Sequence, residues 1–195
     1  MTRIAVFAYA SLVDPASASL TLGREALEPR PARLRGWRRR WSQARDNLRE
    51  EKTFAIEPGG RLPPWVLGLN IEPDNEGGDE EGPNGGLLEV SEAELRRLDL
   101  REIRYDRIDV SAEVWPGAGF DMIVAYRAKA DHFAPEPPPG AVILASYARA
   151  VEQAFEALGD GQRETYLRTT GAPPVEPVEA RLVRDRIPPG NPRAW

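Results

Sequence analysis

Ile4-Ala5-Val6-Phe7-Ala8 is an unbroken apolar run, and Asp14-Pro15 follows it closely. A run this short, bounded by polar residues, predicts a buried strand. Asp14 suits an N-cap and Pro15 a first helical position. A short helix is therefore predicted over Pro15–Leu22, ended by Gly23. Strand, tight bend and helix start come in immediate succession, with Tyr9-Ala10-Ser11 at the bend. Two readings of that bend stand at this point. It is either a plain connection, or a place where loop N–H groups and the positive end of a helix receive a carboxylate or phosphate.

The rest of the chain alternates strand and helix patterns. Pro29 to Arg40 reads as one long strand, with Ala32, Leu34 and Gly36 in alternation. Asp46 to Lys52 is polar and loop-like. Thr53 to Glu57 is a second short strand, closed by Pro58-Gly59-Gly60. Trp65 to Ile71 has the continuous apolar character of a central strand, and Gly68 inside it marks a bulge or a close approach. The acidic, glycine-rich stretch from Pro73 to Gly86 buries too little to order itself and reads as an exposed loop. Its spacing is not that of an EF-hand. Gly86 to Val90 is a strand. Ser91 and Glu94 then form a capping box for a helix to about Leu100. Tyr105 to Trp115 alternates as a strand, Pro116-Gly117-Ala118-Gly119 turns, and Asp121 to Lys129 returns to complete a hairpin. Beyond the proline-rich connector Pro135–Gly140, Val142 to Leu158 has helical spacing. Gly159-Asp160-Gly161 stops it, Gln162 to Thr170 gives a second helix, and the tail offers a short strand at Val178 to Val183. No repeat or composition break divides residues 1–195, which read as a single domain.

Composition narrows the function. The chain has no cysteine and one histidine, which removes disulfides, thiolate metal sites and cysteine nucleophiles. A formal net charge of −5 argues against generic nucleic-acid binding. The local exception is Arg33, Arg35, Arg38, Arg39 and Arg40, interleaved with Trp37 and Trp41. That cluster reads either as a nucleic-acid surface or as a strand whose arginine stems cover apolar surface with their heads in water. The second reading is preferred, because no other basic cluster supports the first. No apolar run reaches the ~18 residues of a membrane span. No apolar leader with a cleavage site precedes the first strand, which points to the cytoplasm. Oligomeric state is not legible, although the Arg38 to Trp41 strand is a candidate interface.

The residues that remain for chemistry are few. His132 reads as a surface histidine. Ser11 is not in a G-x-S-x-G elbow, and neither a P-loop nor a dinucleotide fingerprint is present. No ligand cluster calls for a metal or organic cofactor. Catalysis by this chain must use carboxylates, hydroxyls and backbone donors. Glu102, at a helix-to-strand corner, is the best candidate. It is either a solvated loop glutamate or a carboxylate facing a pocket, where partial withdrawal from water makes it a usable base near neutral pH.

Three stretches carry a family resemblance. Val6-Phe7-Ala8-Tyr9-Ala10-Ser11-Leu12 resembles the Y-G-S-L signature of the gamma-glutamylcyclotransferase-like superfamily. Leu98-Asp99-Leu100-Arg101-Glu102, followed by Tyr105 and Arg107, resembles that superfamily's L-D-x-R-E stretch, most closely in its ChaC-type branch. Ala32 to Trp41 is similar to its A-x-L-x-G-[WY]-x-R strand. More loosely, Ser146-Tyr147 resembles a late serine–tyrosine element. The resemblance implies an α+β fold, a small, mostly antiparallel β-barrel with flanking helices. It implies Glu102 as general acid/base, with Tyr9, Ala10, Ser11, Leu12 and Tyr147 around a small gamma-glutamyl substrate and no cofactor. The implied reaction closes the substrate's α-amine onto its own γ-carbonyl, giving 5-oxoproline and a free amine or amino acid. Two alternatives go with it: removal of a gamma-glutamyl protecting group in a biosynthetic pathway, and a non-catalytic domain that senses a small carboxylate metabolite. One position departs from the pattern. Ala10 stands where the family has glycine, so either the bend does not need glycine's freedom or the pocket is narrowed.

Overall fold

The computed structural model describes residues 2–25, 28–75, 77, 82–117 and 119–192. The opening stretch folds as its sequence predicts: β1 spans Ile4–Ala8 and a 3-10 turn spans Ser11–Val13. Helix α1 spans Pro15–Leu22. The Asp14 carboxylate accepts from the N–H groups of Ala16 and Ser17, and Gly23 ends the helix at φ 73°. Strand β1 is buried along its whole length. It pairs antiparallel with β6, Asn84–Val90, and parallel with β9, Met122–Ala128.

The predicted Pro29–Arg40 strand is two strands. β2, Arg30–Leu34, lies beside β6, whereas β3, Trp37–Asp46, pairs with β5, Trp65–Pro73, in another sheet. Gly36, at φ 75°, makes the turn between them. Between β3 and β5 lies β4, Lys52–Ile56. The acidic stretch after Pro73 is shorter than predicted, because Asn84, Gly85 and Gly86 are buried strand residues. Its middle, Glu76 and Gly78 to Glu81, is outside the described residues, as is Ala118 in the turn before β9.

The capping box is present in full. Ser91 Oγ accepts from the Glu94 N–H at 3.3 Å, and the Glu94 carboxylate accepts from the Ser91 N–H at 2.8 Å. It opens helix α2, Glu92–Arg101. Ser91 is exposed, so Ser91→Ala should destabilise the fold by about 1 kcal/mol in urea unfolding, with no cavity to complicate the number. A loss under about 0.3 kcal/mol would show that this helix end is held by its packing alone. Strand β7, Tyr105–Asp109, pairs with β9 as the predicted hairpin. The alternation predicted to run on to Trp115 is broken by a turn. β8, Val114–Trp115, pairs instead with β2.

A further correction falls at residue 142. Ala141–Leu144 is a strand, β10, parallel to β5, and helix α3 begins only at Ala145 and runs to Ala157. Helix α4 follows at Gln162–Thr169. β11, Pro177–Val178, joins β10. β12, Ala180–Asp185, pairs antiparallel with β4.

The strand orders are β7-β9-β1-β6-β2-β8, β11-β10-β5-β3 and β12-β4. Most pairings are antiparallel, as the expected small barrel requires, but among the described residues the strands do not close into a full barrel. The ends of the largest sheet, β7 and β8, do not pair with each other, and the Gly36 turn carries the chain out of that sheet. The main core lies between the two larger sheets and the helices, around Phe7, Leu34, Leu69, Leu98 and Phe155. Among the described residues, no helix is long and apolar enough to cross a membrane.

Candidate active site

Helix α2 ends at its C-cap, Glu102, whose N–H donates to the Leu98 carbonyl at 2.8 Å. Its own carbonyl accepts from the Tyr105 N–H at 2.8 Å, which turns the chain into β7. This corner points the Glu102 side chain, 18% exposed, into a cavity of about 520 Å³. Ser11, at the bend after β1, lines the same cavity, as does Tyr147 on α3.

Arg101 joins the two motifs. Its buried guanidinium donates to Ser11 Oγ at 3.3 Å, to Ser17 Oγ at 2.9 Å, to the Ser17 carbonyl at 3.0 Å and to Thr21 Oγ1. Its Nε lies 3.2 Å from Glu102 Oε1. One cation therefore pins the bend, the first helix and the acid in a fixed arrangement.

Of the six residues expected at the site, the cavity wall brings together Ser11, Glu102 and Tyr147. Tyr9, Ala10 and Leu12 are not on that wall. Tyr9 is buried behind it, its phenol donating to the Tyr126 carbonyl at 2.6 Å, and Leu12 is part of the core. Ala10 has φ −143°, so the bend makes no call on glycine's left-handed freedom.

Other wall residues were not legible as site residues. Gln43 sits at the β3 bulge opposite Gly68. A Cβ on Gly68 would lie 2.8 Å from Gln43 Oε1 and 3.6 Å from the Tyr105 hydroxyl, so Gly68 is both a bulge partner and a point of close approach. Gln43 is 6% exposed, and its Nε2 has no hydrogen-bond partner among the described residues. A buried amide donor on a cavity wall is suited to a ligand oxygen. Tyr105 donates to the Leu69 carbonyl at 3.0 Å, and the Tyr147 ring meets Trp41 edge-on at 6.0 Å.

The charged wall residues are held by protein partners. Arg104 carries both Glu50 and Glu51. Lys52 lies 3.7 Å from Asp185 on β12. Arg45 donates to the Lys52 carbonyl at 2.5 Å and lies over the Phe54 ring at 5.3 Å. Among the described residues, no three His, Asp or Glu side chains gather as metal ligands. His132 is half-buried and off the cavity wall, near the Ala44 carbonyl.

Behind the bend is a group that the alternation pattern concealed. Arg39, in the middle of the basic cluster, is 0% exposed. It donates to the carbonyls of Tyr9 at 3.1 Å and Asn84 at 2.7 Å, to Asn84 Oδ1 at 3.0 Å and to Thr170 Oγ1 at 2.8 Å. Its guanidinium lies on the rings of Tyr166 and Phe155. Burial pushes it down to about 9, which leaves it charged at neutral pH. The expectation that these arginines hold their heads in water fails at this position. Arg38 and Arg40 flank Glu72, each 3.6 Å from it.

All five tyrosines are raised above their ordinary range, in each case first by burial. The Glu102 charge adds to this at Tyr9, Tyr105, Tyr126 and Tyr147. The folded protein should therefore show little tyrosinate absorbance at about pH 10, where an unfolded sample has ionised roughly half its phenols. Because the folded state keeps protons that the unfolded state loses, stability is full below about pH 10 and falls as pH rises past it. Native and unfolded samples titrating together would refute this.

No family model and no curated protein matches the sequence. Solved structures do match. A gamma-glutamyl cyclotransferase superposes with a TM-score of 0.56 at 14% identity, over 90% of this chain and 93% of its own. A yeast gamma-glutamyl cyclotransferase specific to glutathione gives 0.51 at 15% identity, over 87% and 98%. YkqA from Bacillus subtilis gives 0.53 at 19% identity over 90% of this chain, which spans only 57% of the YkqA chain. The chain thus has the gamma-glutamyl cyclotransferase fold. The two named cyclotransferases match about equally, and at these identities the likeness concerns the fold alone.

Proposed function

We propose that the protein is a gamma-glutamylcyclotransferase-type enzyme with Glu102 as its general acid/base. The observation that carries this reading is the shared cavity: Glu102 and the Ser11 bend face one space and are tied together by Arg101. In the proposed reaction Glu102 takes a proton from the substrate's α-ammonium. The freed amine attacks the γ-carbonyl carbon, and a tetrahedral intermediate forms. Glu102 returns the proton to the departing nitrogen as the amide C–N bond breaks, and the ring nitrogen gives up its second proton, which leaves with the released amine as an ammonium; the other product is 5-oxoproline. The attack is intramolecular, so holding the substrate folded supplies much of the acceleration, equivalent to an effective molarity on the order of 10⁵ M or more.

The surrounding donors suit this chemistry. Gln43 Nε2 would donate to the substrate's α-carboxylate or to the oxygen that gains charge during attack, where fixed donors are most effective. Tyr147 and Tyr105, held protonated by burial, bound the same floor. Tyr9 and Arg39 support the bend from behind. The test is direct: incubate the protein with a panel of gamma-glutamyl amino acids, peptides and amines and measure 5-oxoproline. Binding without product would move the reading to the sensor, and release of free glutamate in its place would move it to a hydrolase.

A further inference from the structure

We infer that the leaving amine of the substrate is apolar, with a body the size of a leucine or phenylalanine side chain. This inference rests on the cyclotransferase reading, and it concerns the apolar part of the cavity wall. A cavity of about 520 Å³ is of the size that encloses drug-sized ligands, and a gamma-glutamyl group on the polar floor leaves much of it to be filled.

The chemistry of the remaining wall is specific. Phe54 on β4, Val66 on β5, and Leu144 at the end of β10 line it together with the Tyr147 ring. Phe54, Val66 and Leu144 belong to a small apolar cluster separate from the main core, and Tyr147 packs against both, so this wall is not simply the outer skin of that core. Leu20 on α1 lines the mouth and is 59% exposed, the highest exposure of any large apolar side chain described. A polar or charged leaving group would need partners on the wall, but the cations that line it already have them. Lys52 is paired with Asp185, Arg104 with Glu50 and Glu51, and Arg45 lies on Phe54 and holds the Lys52 carbonyl. Apart from the Ser146 hydroxyl, what this wall offers a ligand is mainly hydrocarbon, and filling it with hydrocarbon is favourable.

The experiment compares kcat/KM for 5-oxoproline formation from gamma-glutamyl derivatives of glycine, glutamate, lysine, leucine and phenylalanine. Leucine and phenylalanine should exceed glycine by at least roughly 10²-fold, with glutamate and lysine no better than glycine. Leu20→Ser, at an exposed position that folding does not need, should lower the phenylalanine-to-glycine ratio about fivefold, and Phe54→Ser should lower it further. In parallel, calorimetric binding of the glycine and phenylalanine compounds to the Glu102→Gln protein examines the wall without chemistry. Equal turnover of all five, or preference for a charged one, overturns the apolar inference and leaves the enzyme reading intact. No turnover, but tighter binding of the phenylalanine compound, overturns the enzyme reading and supports the wall. Neither turnover nor binding removes both.

Discussion

Replacing Glu102 by glutamine is expected to lower kcat for 5-oxoproline formation roughly 10²- to 10⁴-fold, the usual worth of a positioned acid/base. The change is nearly isosteric, and the helix cap at this residue is made by its backbone, so the corner between α2 and β7 stays in place. Glutamine cannot take the α-ammonium proton or return it. KM should move much less than kcat if the proposed role holds, because the carboxylate would then serve proton transfer more than holding the ground state. A structural role through Arg101 would look different. Arg101 would keep its contacts to Ser11 and Ser17, and any loosening of the bend would raise KM. A drop of less than about threefold in kcat would remove Glu102 from the chemistry.

The largest stability loss should come from Arg39. Arg39→Met keeps the stem and removes the fork. It leaves the Tyr9 and Asn84 carbonyls buried without their donor, at roughly 1–3 kcal/mol each, for a total of about 3–5 kcal/mol in urea unfolding. Arg39→Lys should recover only part of this, because an ammonium cannot reach the divergent acceptors on Tyr9, Asn84 and Thr170 together. Turnover by whatever folds should also suffer, since the Tyr9 carbonyl lies at the bend that leads into Ser11. A loss below about 1 kcal/mol for Arg39→Met would mean that water or a neighbour replaces the guanidinium, and that the bend is held by packing.

The features read correctly from sequence were local. Asp14-Pro15, the Ser91–Glu94 box and the β7–β9 hairpin each bring their signal and their partner close together in the chain. The errors came where two structures share one pattern. Alternation runs in phase through Gly36, so a period of two does not reveal that β2 and β3 lie in different sheets. Ala141 to Leu144 is apolar at every position and fits a helix as well as a strand. Helix α3 then starts from Leu144 with no side-chain cap, so no N-cap residue marked the boundary. The candidate site was half legible. Motifs pointed to Glu102 and Ser11, which line one cavity, but nothing near Gln43 or Arg39 in the sequence states that one faces a cavity and the other a buried bend. Their environments are made by Gly68, Asn84 and Thr170, which are distant in sequence, and only the fold brings them together.

The pairing of β12 with β4 sets an order of events during synthesis. Phe54 and Lys52 leave the ribosome early, yet the strand that flanks them and the Asp185 that holds Lys52 are made more than a hundred residues later. A nascent chain can bring Glu102, the bend and Arg101 together while the Phe54 side of the cavity is still missing its outer strand. Proteolytic clipping before Ala180 would return a finished molecule to that half-made condition, and if the proposed reaction holds, it should disturb substrate choice more than proton transfer.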